Sequence, residues 1–326
     1  MGFERVSTTD FMTPIQHLIP QVESLMRAQA AGAHPELRAA LELLLSSGGK
    51  RVRPAVALLS GGMLRGEEDR LITLAAAIEL LHTATLVHDD LIDGALLRRG
   101  TATLNAQWTP AATVLTGDYI FARAAMLAAD TDSVGVMHLF AETLATIVNG
   151  ELTQLFSSKG LASRDNYFKR IYAKTASMFE LATEAAAMLS PVDMRTQKKM
   201  RSFGYQIGIA FQIMDDVLDL AGEQREIGKP VASDLRQGLL TLPVLDFMEA
   251  NPGNPEIQAI LDGKRVSEER MENLVEMIRE SGVIADAIRE AHNYVERALE
   301  ILDGMPEGPE RRALAELAEY FVSRNT

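Results

Sequence analysis

The stretch HTATLVHDDLID, residues 82–93, decides the fold class. It is largely apolar and ends in an Asp-Asp-x-x-Asp motif made of Asp89, Asp90 and Asp93. Positions i and i+4 share one face of a helix, so Asp89 and Asp93 point the same way, and His82 lies on that face seven residues earlier. Carboxylates this close on a mostly apolar helix repel one another unless cations are present. The stretch therefore predicts a helix that carries a metal site.

A second motif of the same form lies 126 residues further on, since 215 − 89 = 126. Residues 211–219 read FQIMDDVLD, and Asp215 and Asp219 share a helix face, with Asp216 beside them. One such motif could be a solvated acidic helix end, but two inside apolar helices favour metal binding. Oxygen ligands without cysteine suit magnesium, which binds through a few carboxylates and keeps water or phosphate as further ligands. Facing each other across a helical bundle, the motifs would hold metals between them.

The rest of the chain also has the pattern of consecutive helices. Good helix formers dominate, and runs with a period of two residues, typical of strands, are missing. Prolines mark helix starts at Pro35, Pro110, Pro191, Pro255 and Pro309, with Thr109, Ser190 and Asn254 as N-caps, and Ser267 marks another start. We expect helices at about 11–30, 35–46, 54–63, 68–93, 110–129, 132–156, 163–189, 192–220, 239–250, 267–302 (broken near Gly282) and 309–323. The prediction is an all-α fold, a single-domain helical bundle over residues 1–326 with a central cavity.

Composition limits the classes of function. The 326 residues carry a formal net charge of −13, which argues against nucleic-acid binding because such binding needs a basic surface. There is no cysteine, so disulfides and thiolate catalysis are excluded, and a cytoplasmic location is expected. The first residues do not have the pattern of a secretory signal, and charge interrupts the apolar stretches. We expect no membrane-spanning helix, although peripheral membrane contact is compatible with the sequence.

Basic residues that could hold an anion beside the metals occur in four places. They are Lys50 and Arg53 in the run Gly-Lys-Arg-Val-Arg-Pro (49–54), Arg98 and Arg99 after the first motif, Lys174 beside Thr175, and Lys229 in a glycine-rich stretch. Arginine and lysine are the usual ligands of diphosphate. Each alone is more often a surface charge, but the neighbours of Lys174 are largely apolar. The stretch 221–238 around Lys229 is the longest predicted loop and could close over a site.

Taken in order, these residues resemble the trans-prenyl diphosphate synthase (polyprenyl synthetase) family. The match is dense over residues 45–245, and it also includes Gly117-Asp118, Gly150-Glu151 with Gln154, Phe211-Gln212, Gly228-Lys229-Pro230 with Asp234, and Thr241-Leu242-Pro243. The resemblance implies an all-α isoprenoid-synthase fold, a homodimer and about three magnesium ions per active site. It also implies two substrates, isopentenyl diphosphate and an allylic diphosphate.

The same resemblance implies a role for each matching residue. Magnesium would be bound by Asp89, Asp90, Asp93, Asp215, Asp216 and Asp219. The allylic diphosphate would be held by Arg98, Lys174 and Lys229, and isopentenyl diphosphate by Lys50, Arg53, His82 and Arg99. Lys174, Thr175 and Gln212 would be the catalytic residues at the reacting centre. The implied reaction needs no protein nucleophile, in agreement with the absence of cysteine.

The sequence departs from the family pattern at two positions. Leu239 stands where the family commonly has a phosphate-binding lysine, in Gly-Leu-Leu-Thr-Leu-Pro (238–243), and Arg236 is a candidate to compensate for it. Gly94 stands where an acidic residue often follows the first motif. Neither departure removes a metal ligand.

Product length depends, by resemblance, on the residues one helical turn before the first motif. Here these are Ala84 and Thr85, both small, so the growing tail could pass them. The thin helix expected at 110–129 would continue the tunnel through Ala122, Ala124, Ala125 and Ala129, with Phe121 and Met126 as its floor. A helical turn rises about 5.4 Å, close to one isoprene unit. We predict a medium- to long-chain product, and the alternative is that these alanines only allow close helix packing in a farnesyl or geranylgeranyl diphosphate synthase.

Three other functions fit part of this pattern. A terpene cyclase would have a different second metal motif and lack Lys50 and Arg53. A non-catalytic partner subunit of a heteromeric synthase would have lost its carboxylates, whereas both sets are present here. A ferritin-like metal bundle needs two Glu-x-x-His motifs, and only residues 79–82 match.

Overall fold

The computed structural model describes residues 11–46, 48–98, 100–156, 163–222 and 231–323. A 3₁₀ turn at Thr13–Ile15 precedes α1 (Ile19–Ala28), α2 (Pro35–Ser46), α3 (Val52–Met63), α4 (Glu68–Ile92), α5 (Leu104–Gln107), α6 (Pro110–Asp130), α7 (Val134–Phe156) and α8 (Arg164–Ile171). A π turn (Tyr172–Ala176) leads to α9 (Ser177–Met188), α10 (Met194–Ala221), α11 (Ser233–Arg236), α12 (Leu242–Ala250), α13 (Pro255–Leu261), α14 (Glu268–Glu280), α15 (Val283–Asp303) and α16 (Pro309–Ser323). The prediction of an all-α fold is confirmed.

The fold divides into two compact units. Unit 1 comprises Met1–Leu144, Met178–Gly204 and Ile301–Leu317, and unit 2 comprises Ala145–Ser177, Tyr205–Glu300 and Ala318–Thr326. Unit 1 contains the first carboxylate motif, and unit 2 contains the second. The single-domain organisation with a central cavity stays a prediction.

Helix α4 is the core of unit 1. Every residue from Leu74 to Leu81 is buried, because α1, α3 and α6 all pack against this helix. Helix α6 runs antiparallel to it: the Arg70 Nε donates to the Thr131 carbonyl at 2.8 Å near one end, and the His88 ring lies 3.2 Å from the Val114 carbonyl near the other. Close packing at that second end requires Gly117, since a Cβ there would lie 2.2 Å from His88 Nε2. The end of α4 that carries the first motif is thus packed closely against α6.

Unit 2 is assembled around α8 and the second half of α10. Arg164 at the start of α8 forms ion pairs with Asp246 on α12 and Glu290 on α15. Phe211 on α10 packs against Phe321 on α16 with ring centroids 4.9 Å apart. Arg279 on α14 donates to the carbonyl of Leu220 at the end of α10 at 2.8 Å. These contacts fix the helix that carries the second motif against its neighbours within the unit.

Several of the predicted helix starts are confirmed, and others are wrong. Thr109 accepts the Ala112 amide, and Asn254 accepts the amides of Glu256 and Ile257, so both are true N-caps. Ser190 is not, because α10 begins at Met194 and Asp193 caps it by accepting the Thr196 amide at 2.8 Å. The predicted break at Gly282 occurs, with φ at +88°.

Four further features differ from the sequence prediction. The helix expected over 163–189 contains the π turn, and the short helices α5, α11 and α13 were not predicted. A two-stranded antiparallel hairpin, β1 (Leu97–Arg98) and β2 (Thr101–Ala102), follows the first motif, although no strand was expected. The predicted loop 221–238 lies partly outside the described residues, and its described end forms α11.

Helix α4 combines length with an apolar composition typical of a membrane-crossing helix, and it is the one such helix in the described part of the chain. However, 72% of its most apolar 18-residue window is buried inside the protein. A core helix passes the same test of length and composition, and burial on this scale is what a core helix shows.

Candidate active site

The first carboxylate motif closes helix α4, and its three aspartates have different surroundings. Asp89 is half-buried and Asp93 is exposed, one turn apart on the same face. Asp90 is 6% exposed, and both of its carboxylate oxygens accept from Arg98 Nε, at 2.9 and 3.1 Å. Gly94 ends the helix with φ at +62°, a conformation that glycine adopts without strain. This is the physical reason for glycine where the family often has an acidic residue.

Arg98 reaches Asp90 because of the β1–β2 hairpin. The hairpin pairs Arg98 with Thr101 and turns at Gly100, where φ is +77°. Asn105 then approaches the backbone carbonyl of Asp90, at 3.5 Å from its side-chain nitrogen. The hairpin therefore places the guanidinium of Arg98 beside the first motif. Arg99, predicted to hold isopentenyl diphosphate, lies outside the described residues.

The basic run at residues 50–53 is anchored by its middle member. Arg51 has a left-handed backbone, with φ at +46°, and its guanidinium bonds Glu23 and Glu79 at 3.0 Å each. Burial opposes the charge of this side chain, but the two carboxylates outweigh it and raise the pKa of Arg51. Sequence reasoning gave Arg51 no separate role. Its ion pairs hold the middle of the run, between Lys50, which is exposed, and Arg53.

Arg53 and His82 meet within unit 1. Arg53 Nη1 lies 3.2 Å from His82 Nε2, and the guanidinium lies 5.3 Å from the centre of the Phe179 ring. Two residues predicted to hold the same diphosphate, 29 positions apart in sequence, are thus direct neighbours. His82 stands on α4 seven residues before Asp89, so one member of this pair lies on the same helix as the first motif, whereas Arg53 lies on α3.

The π turn carries Lys174 and Thr175. A π turn inserts an extra residue into a helix and redirects the side chains that follow, and such turns are frequent at functional sites. Lys174 Nζ lies 3.0 Å from Glu151 Oε1 on α7, and Thr175 is buried. The turn approaches α7 so closely that a Cβ on Gly150 would lie 2.6 Å from Ala173 Cβ. The family match at Gly150-Glu151 therefore has a structural explanation: Gly150 leaves room for the π turn, and Glu151 binds Lys174 of that turn.

The second motif lies on α10 in unit 2, where Asp216 is almost fully buried. Tyr167 donates its hydroxyl hydrogen to Asp216 Oδ2 at 2.8 Å, and Gln212 Nε2 donates to Asp216 Oδ1 at 2.8 Å. Burial raises the pKa of Asp216 to about 7, and the nearby Asp234 adds to the rise. The hydrogen bonds from Gln212 and Tyr167, and the charge of Arg170, act in the opposite direction.

Asp219, one turn after Asp215, is tied to the backbone that follows the motif. Its carboxylate oxygens accept the amides of Ser233 and Asp234, at 3.2 and 3.1 Å, at the start of α11. Ala232, immediately before, has φ at +57°, so this interaction holds a backbone conformation that is unfavourable for alanine. Asp215 is half-buried on the same face as Asp219. Lys229 lies outside the described residues, as do Gly228 and Pro230.

Leu239 stands near a different arginine from the one that the sequence suggested. Arg236 is held by Glu268, at 2.7 Å, and by the Val231 carbonyl, at 2.8 Å. Arg170 on α8 instead donates to the carbonyl of Leu240 at 2.9 Å. The guanidinium that reaches this turn is therefore that of Arg170, which sequence reasoning did not single out because it has no motif of its own.

The small residues before the first motif lie in the core of unit 1. Ala84 is fully buried, and Thr85 is half-buried with its hydroxyl donating to the His82 carbonyl at 2.7 Å. On α6, Ala124 faces inward, whereas Ala122, Ala129 and Met126 lie on the exposed side. Phe121 packs against His88, with ring centroids 5.2 Å apart. Of the residues predicted to form a tunnel floor, Phe121 is the one directed towards α4.

In the described part of the chain, no three carboxylate or imidazole side chains converge as a ready-made metal site. The donor set nevertheless suits magnesium. Magnesium binds through one or two carboxylates and takes its remaining ligands from water and substrate phosphate. Asp89 with Asp93 in unit 1, and Asp215 with Asp219 in unit 2, each offer a pair of hard oxygen donors one turn apart.

Comparison with known proteins gives consistent matches. The family model for polyprenyl synthetase matches residues 34–278. The octaprenyl diphosphate synthase of Haemophilus influenzae is 35% identical over 86% of this chain and 86% of its own length. The heptaprenyl diphosphate synthase component 2 of Bacillus subtilis is 32% identical over 94% of this chain and 88% of its own length. The crystal structure of a polyprenyl synthase from Caulobacter crescentus, complexed with calcium and isoprenyl diphosphate, is similar over 100% of both chains, with a TM-score of 0.92 and 33% identity.

Proposed function

Since the chain belongs to the polyprenyl synthetase family, we propose that it joins isopentenyl diphosphate to an allylic diphosphate in trans and releases diphosphate. The observation that carries this proposal is the extent of the family match, which includes both carboxylate motifs and the basic residues around them. The relatives confirm the predicted reaction class, prenyl transfer, and they support a polyprenyl diphosphate product of medium to long chain.

The reaction breaks the bond between the allylic carbon and the diphosphate oxygen. The isopentenyl double bond then attacks the allylic cation, a new carbon–carbon bond forms, and a proton is lost to the departing diphosphate. Magnesium, when bound, would neutralise the charge that develops on the leaving group. We assign it to Asp89 and Asp93 in unit 1 and to Asp215 and Asp219 in unit 2. Asp90, also predicted as a metal ligand, is left out of this assignment because both of its oxygens accept from Arg98. The number of ions, about three, rests on family resemblance alone.

The basic residues hold the two substrates. The Arg53–His82 pair and Lys50 in unit 1 bind isopentenyl diphosphate, because a guanidinium matches phosphate geometry with two parallel hydrogen bonds. Arg98 and Lys174 bind the allylic diphosphate. The carboxylates of Asp90 and Glu151 hold these two cations in place until the substrate arrives. Thr175 and Gln212 face the reacting carbons.

The product length and the subunit composition have alternatives. Small Ala84 and Thr85 support a medium- to long-chain product, whereas a farnesyl or geranylgeranyl product is the alternative. One relative is named component 2 of a heptaprenyl diphosphate synthase, so a heteromeric synthase is the second alternative. The retained carboxylates favour a catalytic subunit. We also propose a cytoplasmic location, with peripheral membrane contact when the apolar product leaves.

A direct assay tests this function. Purified protein is incubated with magnesium, isopentenyl diphosphate and allylic primers of increasing length, and the products are separated by chain length. We expect elongation to heptaprenyl or longer products, and loss of activity when a chelator removes the metal. Failure to extend any primer would overturn the function for this chain acting alone, and an end product at farnesyl or geranylgeranyl would favour the short-chain alternative.

Homodimerisation is supported by an apolar stripe on the second half of α7. Val148, Leu152 and Leu155 recur at helix spacing and are 46%, 44% and 56% exposed. A row of exposed apolar side chains is typical of an interaction surface, and two identical copies can cover the row on both subunits at once. We therefore place this stripe in the contact with a second copy of the chain.

A charged side chain introduced into the apolar stripe on α7 is expected to separate the two subunits. We expect Leu152→Glu to weaken dimerisation by about a hundredfold or more, because a buried carboxylate without a partner is costly. Sedimentation velocity measures the oligomeric state. Met277→Glu is the matched control, since Met277 is 47% exposed but lies outside the stripe, and it should remain dimeric. A monomeric wild type, or a dimeric Leu152→Glu variant, would contradict the assignment.

A further inference from the structure

Four side chains of unit 2 form one continuous chain of hydrogen bonds. Tyr167 donates to Asp216 at 2.8 Å, Gln212 Nε2 donates to the other carboxylate oxygen at 2.8 Å, and Thr175 donates to Gln212 Oε1 at 2.6 Å. Tyr167 is 1% exposed, Asp216 4% and Thr175 5%. These residues come from α8, the π turn and α10, and the first bond spans 49 positions of sequence. This hydrogen-bond chain runs from Tyr167 to Thr175, which the proposed function assigns to the reacting centre.

The direction of each bond follows from the chemistry of Asp216. In its ionised form the Asp216 carboxylate only accepts hydrogen bonds, so Gln212 turns its NH₂ group towards Asp216 and its oxygen towards Thr175. The hydroxyl of Thr175 then donates its hydrogen to Gln212. Its lone pairs are left for a positively charged neighbour. One buried carboxylate thus sets the orientation of a hydroxyl two residues away along the chain of bonds.

On α10, the hydrogen-bond chain and the proposed metal ligands occupy different helix faces. Gln212 and Asp216 are four residues apart and share one face of α10, whereas Asp215 and Asp219 share the adjacent face. Each oxygen of Asp216 accepts a hydrogen bond, and the side chain is almost fully buried. The guanidinium of Arg170 lies 5.6 Å from the centre of the Tyr167 ring and is fixed to the Leu240 carbonyl. Tyr167 is therefore held between a cation and a carboxylate.

We propose that Tyr167 and Asp216 are positioning residues that orient the Thr175 hydroxyl, through Gln212, with its lone pairs towards the allylic cation. Asp216 is thereby assigned to this hydrogen-bond chain and not to the metals. The inference rests on the proposed function, because it concerns the cation of that reaction. The proposal implies that kcat of the prenyl transfer depends on Tyr167, although Tyr167 lies outside both carboxylate motifs.

The first test removes the hydroxyl of Tyr167. Since charge-assisted bonds are about twice as strong as neutral ones, we expect Tyr167→Phe to lower kcat about tenfold or more. The KM values of both substrates, and the affinity for inorganic diphosphate with magnesium measured by calorimetry, should stay within about twofold. Tyr205→Phe is the control: its ring lies 6.0 Å from Tyr172, outside the hydrogen-bond chain, and kcat should not change. Equal losses of kcat and diphosphate affinity in Tyr167→Phe would overturn the proposal.

A double-mutant cycle asks whether Tyr167 acts through Thr175. Thr175→Val keeps the shape of the side chain and removes the hydroxyl. In that background Tyr167→Phe should have little further effect on kcat, because coupled residues are not additive. An undiminished effect would show that Tyr167 acts by another route and would overturn the proposal.

The Asp216→Asn variant tests whether Asp216 orients Gln212 or binds magnesium. An asparagine donates to Gln212 and reverses the direction of the bonds, so kcat should fall while the magnesium concentration for half-maximal activity stays constant. A rise in that concentration, with magnesium affinity reduced in calorimetry, would make Asp216 a metal ligand instead. If the wild type itself elongates no primer, the proposed function fails; an active wild type with additive substitutions overturns the positioning role alone.

Discussion

Asp89→Asn is expected to lower kcat by about a hundred- to thousandfold, the range found when one group that stabilises developing charge is removed. The substitution keeps the size of the side chain and removes its negative charge. Asp89 stands half-buried in the last turn of α4, the core helix of unit 1, one turn before Asp93. The change should therefore act on the metal and leave the helix intact.

Two measurements distinguish a metal effect from a folding effect. The magnesium concentration for half-maximal activity should rise in Asp89→Asn, while the thermal unfolding midpoint stays close to that of the wild type. Asp69→Asn is a matched control, because Asp69 is an exposed carboxylate at the opposite end of the same helix. It should retain wild-type kcat. An Asp89→Asn variant with kcat within about threefold of the wild type would remove Asp89 from the metal site.

Gly204→Ala is expected to destabilise the protein by about 3 kcal/mol, at the upper end of the usual cost of overpacking. A Cβ at this position would lie 2.3 Å from Thr183 Oγ1, 2.5 Å from the Phe179 carbonyl oxygen and 2.8 Å from the Glu180 Cα. Two of these atoms belong to the backbone of α9, so a rotamer change cannot relieve the clash. The Thr183 hydroxyl also donates to the Met200 carbonyl at 2.7 Å, and this bond would be strained.

Urea denaturation measures this loss as a lower unfolding midpoint. Gly135→Ala is the control, since the nearest atom to its Cβ would be Met188 Sδ at 3.5 Å, an ordinary contact. Near the start of α7 an alanine should be neutral or stabilise by up to about 1 kcal/mol, because glycine is a poor helix former. Equal stability of the two variants would contradict the close approach of α9 and α10.

The helices could be predicted where their signals are local. At residues 109–110 and 254–255 a capping side chain directly precedes a proline, and the cap forms as expected. At residues 190–191 the same pattern fails, because the Ser190 hydroxyl donates to the Ala186 carbonyl of the preceding helix. The π turn at 172–176 was not predictable from helix periodicity, since its residues are ordinary for a helix and close contact with Gly150 accompanies the turn.

In the candidate site, too, some features follow from local sequence signals and others do not. Asp89 with Asp93, and Asp215 with Asp219, share faces because four residues make about one turn, and this holds for any helix. The partners of Asp90 and Asp216 follow no such rule. Arg98 reaches Asp90 through a hairpin that the sequence did not predict, and Tyr167 reaches Asp216 from another helix. Arg51 and Arg53 look alike in sequence, yet their contacts differ: Arg51 forms ion pairs with Glu23 and Glu79, whereas Arg53 lies beside His82.

The sequence by itself determined the helical class, the family and the carboxylate faces, because periodicity and motif spacing act within one or two helical turns. The tertiary structure decided which aspartate of each motif turns inward, which arginine anchors the basic run and which hydroxyl Asp216 binds. Those choices depend on side chains that are distant in sequence and meet only when the helices pack. Burial then makes the choice of partner specific, because a buried carboxylate without a hydrogen-bond donor is too costly to persist.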